Sequence, residues 1–309
     1  MGIFSEQGVA EHVVQFDEVI KDGALIVDSV RGSRAIVGKD ATRKLHSFQI
    51  PHFAQEDSIL PQDIQGKRAY GSASEAETLD LVRARKMERI RQDLAWTLEA
   101  ARAQAIVLGT VYAPSGTVSQ DWYQEFTQAA RPAAIDFNLG TSTVETLGKI
   151  ETCIATIQDN SGSVNFTGII ALCGPTFFAK LISHDSVKQA YKYYSSTQEI
   201  VRTAGRPNAS AYHREFTYGS VRFIEMRDSY NGTALIPTGD CYFLPTGTDY
   251  FRTYFSPANR FGLVNTVGEQ VYMFESMAPN GTAFTLESES NFVNAMLKPL
   301  LVVKANSST

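Results

Sequence analysis

Residues 74–108 read SEAETLDLVRARKMERIRQDLAWTLEAARAQAIVL. The stretch contains neither glycine nor proline, and its apolar side chains recur every three or four positions, as on one face of an α-helix. Ser72 and Ser74 each have a glutamate three residues later, which is the signature of a capping box at the start of a helix. Gly109 is suited to end the helix. The pattern predicts a single helix about 50 Å long, which is longer than a small domain is wide.

The sequence before this helix is typical of extended chain. Residues 24–71 contain short apolar runs and a turn signal at residues 38–40. Pro51 and Pro61 exclude a continuous helix over this stretch. A stretch of 48 residues with strand signals and little core material is unusual within a compact domain. We therefore expect it to pack on something other than its own domain.

The sequence after the helix alternates between helical and strand patterns. Ser142 and Glu145 form another capping-box pair ahead of an amphipathic segment. A buried strand is predicted for residues 164–173, a helix for residues 175–194, and mostly strands after residue 214.

Asparagine followed by glycine, at residues 231–232 and 280–281, predicts two hairpin turns in this last part. The predicted fold class is therefore α+β, with one long early helix and a β-rich second half.

Composition and charge exclude several classes of protein. A chain of 309 residues can bury a large core, and a net charge of −5 argues against a surface that binds nucleic acid throughout. The longest apolar stretch, residues 167–178, is broken by a glycine and a proline and is shorter than the about 20 residues that a bilayer requires. The three cysteines (Cys153, Cys173 and Cys241) are widely spaced and the N-terminus has no leader pattern, so we expect a cytosolic product without structural disulfides.

The sequence predicts no catalytic, cofactor-binding or metal-binding residues. Residues 32–40 resemble a phosphate loop, but five residues separate the glycines and an aspartate stands where serine or threonine would hold magnesium. His46 and His52 are six residues apart in one predicted strand, about 20 Å from each other and too far to share a metal. No serine or cysteine lies in a known nucleophile pattern.

A basic run lies on the long predicted helix. Residues 83–91 carry five positive charges and one negative charge, so the net charge of this run is positive although that of the whole protein is negative. Four acids at helical spacing favour a solvated, ion-paired helix face; they are Glu75, Glu77, Asp80 and Asp93. The alternative is a candidate DNA-facing basic patch that binds phosphate without reading base sequence. Its members are Arg83, Arg85, Lys86, Arg89 and Arg91.

Several blocks of sequence occur in a recognisable order. They are residues 44–52 (KLHSFQIPH), residues 59–64 (ILPQDI) before the arginine-rich helix, residues 168–173 (GIIALC), residues 272–279 (YMFESMAP), and the closing residues 298–303 (KPLLVV). In this order and spacing the chain resembles the lambda-like major capsid proteins of tailed bacteriophages, the major capsid protein E family. The resemblance extends over nearly the whole chain.

The resemblance implies a Hong Kong 97-like phage capsid fold of class α+β. The implied segments are an N-terminal arm at 1–29, an E-loop hairpin at 30–72, a peripheral domain at 73–159 with a spine helix at 73–109, an axial domain at 160–265, and C-terminal peripheral-domain strands at 266–309. The spine helix of this fold lies towards the inner surface of the shell, where the basic run would meet DNA.

The function implied is that of a major capsid protein, a structural protein and not an enzyme. Copies would self-assemble into pentamers and hexamers that form the icosahedral shell around double-stranded DNA. Because the chain begins almost at the arm, the scaffolding protein is expected to be separate. The other implied partners are a portal, a decoration protein and the packaged DNA, and the location is the virion capsid after synthesis in the host cytoplasm.

Two alternatives remain open at this point. One is an encapsulin-type compartment shell, which has the same fold and encloses enzymes in place of a genome. The other is a cytosolic hydrolase whose site is assembled from His184, Asp185 and His213.

Overall fold

The structure is a computed structural model that describes residues 2–20, 42–67, 77–162, 166–193, 213–230 and 232–308. Its helices are α1 (Leu79–Leu108), α2 (Trp122–Thr127), α3 (Thr146–Ser161), α4 (Pro175–Ser183) and α5 (Asp185–Tyr193). The first strands are β1 (Ser5–Gly8), β2 (Val13–Ile20), β3 (Thr42–Gln49), β4 (His52–Ile59), β5 (Ile135–Asp136), β6 (Gly168–Cys173), β7 (Glu215–Tyr218) and β8 (Val221–Glu225). The remaining strands are β9 (Ser229–Tyr230), β10 (Thr233–Ala234), β11 (Asp240–Thr246), β12 (Phe251–Ser256), β13 (Tyr272–Met277), β14 (Phe284–Met296) and β15 (Val303–Asn306).

A five-stranded sheet is built around β14, the longest described strand. β14 pairs antiparallel with β4, β12 and β13, and β1 adds to β12 in parallel. The predicted turn at residues 280–281 joins β13 to β14, and Gly281 has a φ of 68°, which glycine adopts readily. The sheet therefore combines two strands from the first 60 residues, β1 and β4, with three from the last 60, β12, β13 and β14.

A six-stranded sheet has the order β5-β15-β11-β6-β8-β7. It carries the largest apolar core, to which α3 contributes Ile150 and Ile157 and α4 contributes Phe177 and Phe178. Both helices and sheets are therefore present, which fits the predicted α+β class.

The helix α1 confirms the strongest sequence prediction, with a correction at its start. The helix begins at Leu79 and not at residue 73, because Thr78 is the N-cap and its Oγ1 accepts a hydrogen bond from the Leu81 amide at 3.4 Å. The capping residues predicted at Ser72 and Ser74 lie outside the described residues. The end is as predicted, because Gly109 has a left-handed φ of 76° and caps the helix.

The buried face of α1 changes partner along its length. Near its start, Val82 and Ile90 pack with Leu286 of β14 in a small apolar cluster. In the middle, Leu98 packs with Phe292 of β14. At its end, Ala105 joins the main core. One helix thus links three apolar clusters.

Two further helix predictions need correction. The predicted helix over residues 175–194 is two helices, α4 and α5, because His184 has an extended backbone (φ −67°, ψ 139°). The capping box of Ser142 and Glu145 does not form, since Glu145 is itself the N-cap of α3 and makes no side-chain capping bond.

The early extended region is only partly as expected. β2 pairs with β3 in a separate two-stranded hairpin, with Val13 opposite Gln49 and Ile20 opposite Thr42. The expectation that residues 24–71 pack outside their own domain is wrong for β4, which pairs with β14 over eight residues. The turn signal at 38–40 and the phosphate-loop-like stretch at 32–40 lie outside the described residues.

The strands of each sheet come from several parts of the chain. β2 begins before residue 30 and pairs with β3, while β12 belongs to the five-stranded sheet and β15 to the six-stranded sheet. The naming of arm, E-loop, peripheral and axial segments stays a prediction.

Candidate assembly surfaces

The β2–β3 hairpin is anchored to the body of the protein by aromatic side chains at its base. Phe48 of β3 meets Trp122 of α2 edge-on, with ring centroids 4.9 Å apart. Phe16 of β2 lies against Tyr254 of β12, with centroids 5.2 Å apart. Because an isolated two-stranded hairpin is marginally stable in water, these contacts hold its base in place.

A buried histidine adds a polar link at the same base. The side chain of His46 is 0% exposed, with Nε2 2.9 Å from Oε2 of Glu18 and Nδ1 2.6 Å from Oε1 of Glu125. Each ring nitrogen thus lies within hydrogen-bond distance of a carboxylate, one on its own hairpin and the other on α2. The sequence prediction that His46 and His52 share a strand is wrong, since they lie in β3 and β4, on either side of Pro51.

The outer face of the hairpin is exposed to solvent. It presents Leu45, which is 61% exposed, and Val13, which is 38% exposed. On the same face Arg43 and Asp17 form an ion pair, and the hydrogen bond from Arg43 lowers the pKa of Asp17 below its ordinary value. These exposed apolar side chains make the outer face of the hairpin a candidate contact surface.

A second exposed apolar surface is the loop between β12 and β13. Phe261 projects completely into solvent at 103% exposure, and Val264 and Val267 are 60% and 67% exposed. The loop is nevertheless anchored, because the Asn259 amide donates to Glu289 at 2.8 Å and Asn291 donates to the Pro257 carbonyl at 2.9 Å. A fixed loop with three exposed apolar side chains is a candidate contact surface.

An apolar groove of about 390 Å³ lies beside α1. Its walls include Phe4 near the N-terminus, Trp96 and Ala103 of α1, and Met226 and Tyr230 beyond β8. Trp96 and Tyr230 are 61% and 55% exposed. Within the described ranges, the hairpin, the loop and this groove are three of the places where apolar side chains are exposed.

The basic run on α1 is largely neutralised within the protein. Arg83 pairs with Glu275 of β13 and Lys86 with Asp57 of β4, both at 2.8 Å. Arg85 pairs with Glu77, just before the helix, also at 2.8 Å. Sequence spacing predicted ion pairs along the helix, but two of these three partners come from strands.

The two remaining arginines do not form one patch. Arg89 and Arg91 are exposed and make no ion pair with any residue in the described ranges. Helix positions two residues apart point to opposite sides of the helix, so these charges lie on different flanks of α1.

The residues considered for a hydrolase have separate structural partners. His184 is buried, with Nδ1 2.8 Å from Ser186 Oγ and Nε2 3.0 Å from the Thr141 carbonyl. Asp185 pairs with Lys188 at 3.7 Å. His213 lies 3.0 Å from the carbonyl of Glu225 and 3.4 Å from Asp228. None of these contacts joins His184 or Asp185 to His213.

In the part of the chain that the structure describes, no group of three or more His, Cys, Asp or Glu side chains is arranged to hold a metal ion. None of the helices described has both the length and the apolar character to cross a membrane.

Comparison with known proteins gives consistent matches along the whole chain. The family described as Phage major capsid protein E matches residues 1–307. The major capsid protein of Pseudomonas phage KPP10 is 42% identical over 318 residues, covering 98% of this chain and 90% of that protein. The major capsid protein of Salmonella phage Felix O1 (isolate Felix O1-VT1) is 25% identical over 335 residues, covering 98% and 89%.

Solved structures agree on the fold. The mature capsid of bacteriophage PhiM1 aligns with a TM-score of 0.56 at 11% identity, over 99% of this chain and 85% of that one. Similarity at this level supports the fold, and it confirms the predicted Hong Kong 97-like architecture. The sequence matches go further, since one relative exceeds 40% identity over nearly the full chain. The chain therefore belongs to the phage major capsid protein E family, whose members form the virion capsid.

Proposed function

We propose that copies of this chain form pentamers and hexamers that close into an icosahedral head around double-stranded DNA, with the outer face of the β2–β3 hairpin packed on a neighbouring copy. The observation that carries the proposal is the exposure of Leu45 on a ribbon whose base is fixed by Phe48 and His46. A hairpin that is rigid at its base and apolar on its outer face is suited to contact another subunit. No catalytic step is part of this function.

The test is negative-stain electron microscopy of the purified protein alongside size-exclusion chromatography. Shells, tubes or capsomer rings support the proposal. A small oligomer, at high concentration and with candidate scaffold proteins added, overturns it and favours the hydrolase alternative. The family's phage relatives favour a genome-enclosing shell over an encapsulin-type compartment.

Deletion of residues 40–70 is unsuitable as a test of the hairpin. That range contains β4, which pairs with β14, and Ile59, which is 2% exposed within an apolar cluster. The fold would be damaged together with the contact surface. Leu45→Asp is the sharper variant, because Leu45 is 61% exposed and its loss leaves the core intact. Leu45→Met, which keeps an apolar side chain, is its matched control.

We propose further that α1 binds the phosphates of packaged DNA through Arg89 and Arg91. The other three basic residues are engaged in internal ion pairs, which leaves these two charges to bind phosphate. Double substitution to glutamine should reduce genome packaging and weaken its dependence on salt. The charge-matched control is Arg83→Gln with Arg85→Gln, which removes two charges that are already paired. Equal effects of the two double variants would contradict this assignment.

The remaining proposed partners are a separate scaffolding protein, a portal and a decoration protein. Membership of the capsid protein family supports these three partners, because the resemblance to that family implies each of them. Co-expression with candidate scaffold proteins tests the first of them. Shells of uniform size only in the presence of the scaffold support the proposal, and uniform shells from the capsid protein alone contradict it.

A further inference from the structure

Two of the three cysteines face each other across neighbouring strands. Cys173 is the last residue of β6 and Cys241 lies near the start of β11, and the two are direct partners in the antiparallel register. Their Sγ atoms are 3.0 Å apart, and both residues are free thiols with 0% exposure. The strands β11 and β6 are the middle pair of the six-stranded sheet.

The backbone already satisfies the geometry of a disulfide. Direct partners on antiparallel strands have Cα atoms about 4.5–5.5 Å apart, which falls within the range of about 4.4–6.8 Å found for disulfides. The two sulfur atoms are closer than the about 3.5–4.0 Å of an optimal non-bonded carbon contact. Formation of the S–S bond therefore requires side-chain rotation and no movement of the strands.

We infer that Cys173 and Cys241 are an oxidation site that forms a cross-strand disulfide when the folded protein meets a disulfide oxidant such as oxidised glutathione. The thiolate of one cysteine attacks the oxidant and displaces one glutathione thiolate. The second cysteine loses its proton to solvent, attacks the mixed disulfide, and displaces the other glutathione. The protein loses two hydrogen atoms, and one glutathione disulfide is reduced to two thiols.

The surroundings make this reaction slow. Burial raises the pKa of the Cys241 thiol well above its ordinary value, and the neighbouring Cys173 raises it further, so the reactive thiolate is scarce. The oxidant reaches the pair only when the sheet opens locally, because both thiols are 0% exposed and lie on its two middle strands. We expect the pair to stay reduced in the bacterial cytoplasm, where glutathione and thioredoxin keep thiols reduced, and to oxidise only after particles are released.

The third cysteine provides an internal control. Cys153 is buried in α3, and burial raises the pKa of its thiol to about 12. Cys153 lies close enough to Cys241 to contribute to the raised pKa of that thiol, but among the described residues the 3.0 Å sulfur contact joins Cys173 to Cys241. Oxidation should therefore remove two thiols and leave the third.

The disulfide would link residues 68 positions apart in the chain. A cross-link over that distance restricts the unfolded chain more than the folded one, so the oxidised protein should unfold at a higher temperature. For a chain of this size the expected rise in Tm is roughly 5 °C. The change adds stability within one subunit and does not depend on how subunits assemble.

The experiment exposes the folded, full-length protein to oxidised glutathione for increasing times. Each sample is quenched with acid, alkylated with N-ethylmaleimide in denaturant, and measured by intact mass spectrometry and peptide mapping. We expect alkylation to fall from three sites to one, a peptide linking Cys173 to Cys241, and full reversal by dithiothreitol. Cys153→Ala should react in the same way, and Cys241→Ser should form no internal disulfide.

Three alkylated sites at every time point would overturn the inference, as would a disulfide that involves Cys153 or joins two chains. Because the decisive readout is the mass of the unsubstituted protein, the result stands even if a variant folds poorly. Assembly is not part of this readout, so failure of the proposed shell function and failure of this inference are distinguishable.

Discussion

The Nδ1 atom of His46 lies 2.6 Å from the Oε1 atom of Glu125 and joins the early hairpin to the helix α2 across 79 residues of sequence. The imidazole also packs on Phe126, with ring centroids 4.8 Å apart. One buried side chain thus provides polar and apolar contact between the hairpin and the body of the subunit.

His46→Ala is expected to lower the free energy of unfolding by about 2–4 kcal/mol, because it opens a cavity and removes the ring nitrogens that contact Glu18 and Glu125. Urea unfolding measures the change. His52→Ala is the matched control, since His52 is exposed and makes one side-chain hydrogen bond, to Asn291. Equal losses for the two variants would contradict the role of His46.

The carboxylate of Glu225 predicts a dependence of stability on pH. Glu225 is 1% exposed and receives hydrogen bonds from Arg214 at 2.6 and 2.7 Å and from Arg227 at 2.9 Å. Burial alone would raise the pKa of Glu225, but the two arginines outweigh burial and lower it below its ordinary value. The folded pKa is thus below the unfolded pKa of about 4.3, so the stabilisation is complete above that pH and disappears as the pH falls through the folded value.

Glu225→Gln should therefore be less stable than the unsubstituted protein near neutral pH, by about 2 kcal/mol, and the gap should close in acid. Thermal unfolding between about pH 7 and pH 3 measures both effects. Glu215→Gln, which alters the more exposed pair with Arg222, serves as the control. A gap that stays constant over this range would show that the Glu225 charge is not its cause.

Gly109 is expected to tolerate alanine less well than a second glycine of similar backbone conformation. Gly109 and Gly116 have φ of 76° and 73°, so a side chain is strained at both positions. A Cβ at Gly109 would lie 2.5 Å from the Tyr123 ring, whereas nothing lies within 4 Å at Gly116. Gly109→Ala should cost about 1–3 kcal/mol more than Gly116→Ala in denaturant unfolding. Similar costs would mean that the Tyr123 ring moves aside freely.

Phe261→Ser tests whether the loop between β12 and β13 contacts other subunits. Because Phe261 is 103% exposed, the substitution should leave Tm unchanged while reducing the yield of assembled particles. Phe261→Leu keeps an apolar side chain and should retain most assembly. Normal particle yield from the serine variant would remove the loop from the assembly surface.

Local sequence patterns predicted the elements that depend on neighbouring residues. The helical period of α1 and the glycine at its end are local signals, and both appear in the structure. The break between α4 and α5 was missed because it lies at His184, whose ring is held both by Ser186 at the start of α5 and by the distant carbonyl of Thr141. Periodicity carries no information about such a distant partner.

The same limit applies to the candidate site. The basic run on α1 is visible in the sequence, but its neutralisation by Asp57 and Glu275 follows from the pairing of β4 and β13 with β14. The buried position of His46 likewise depends on Glu125, which is remote in sequence. Family resemblance supplied the fold, and only the three-dimensional contacts show which charges remain available.

The parallel pairing of β1 with β12 has a consequence for the order of folding. Ser5 lies opposite Arg252, so the first strand leaves the ribosome long before its partner exists. At about 5–20 residues per second, the delay is on the order of 12–50 s. β4 waits almost as long, because its partner β14 begins at Phe284, 225 residues after Ile59. The five-stranded sheet is therefore completed only when synthesis is nearly finished, and an incomplete nascent chain lacks the finished surface needed to enter a growing shell.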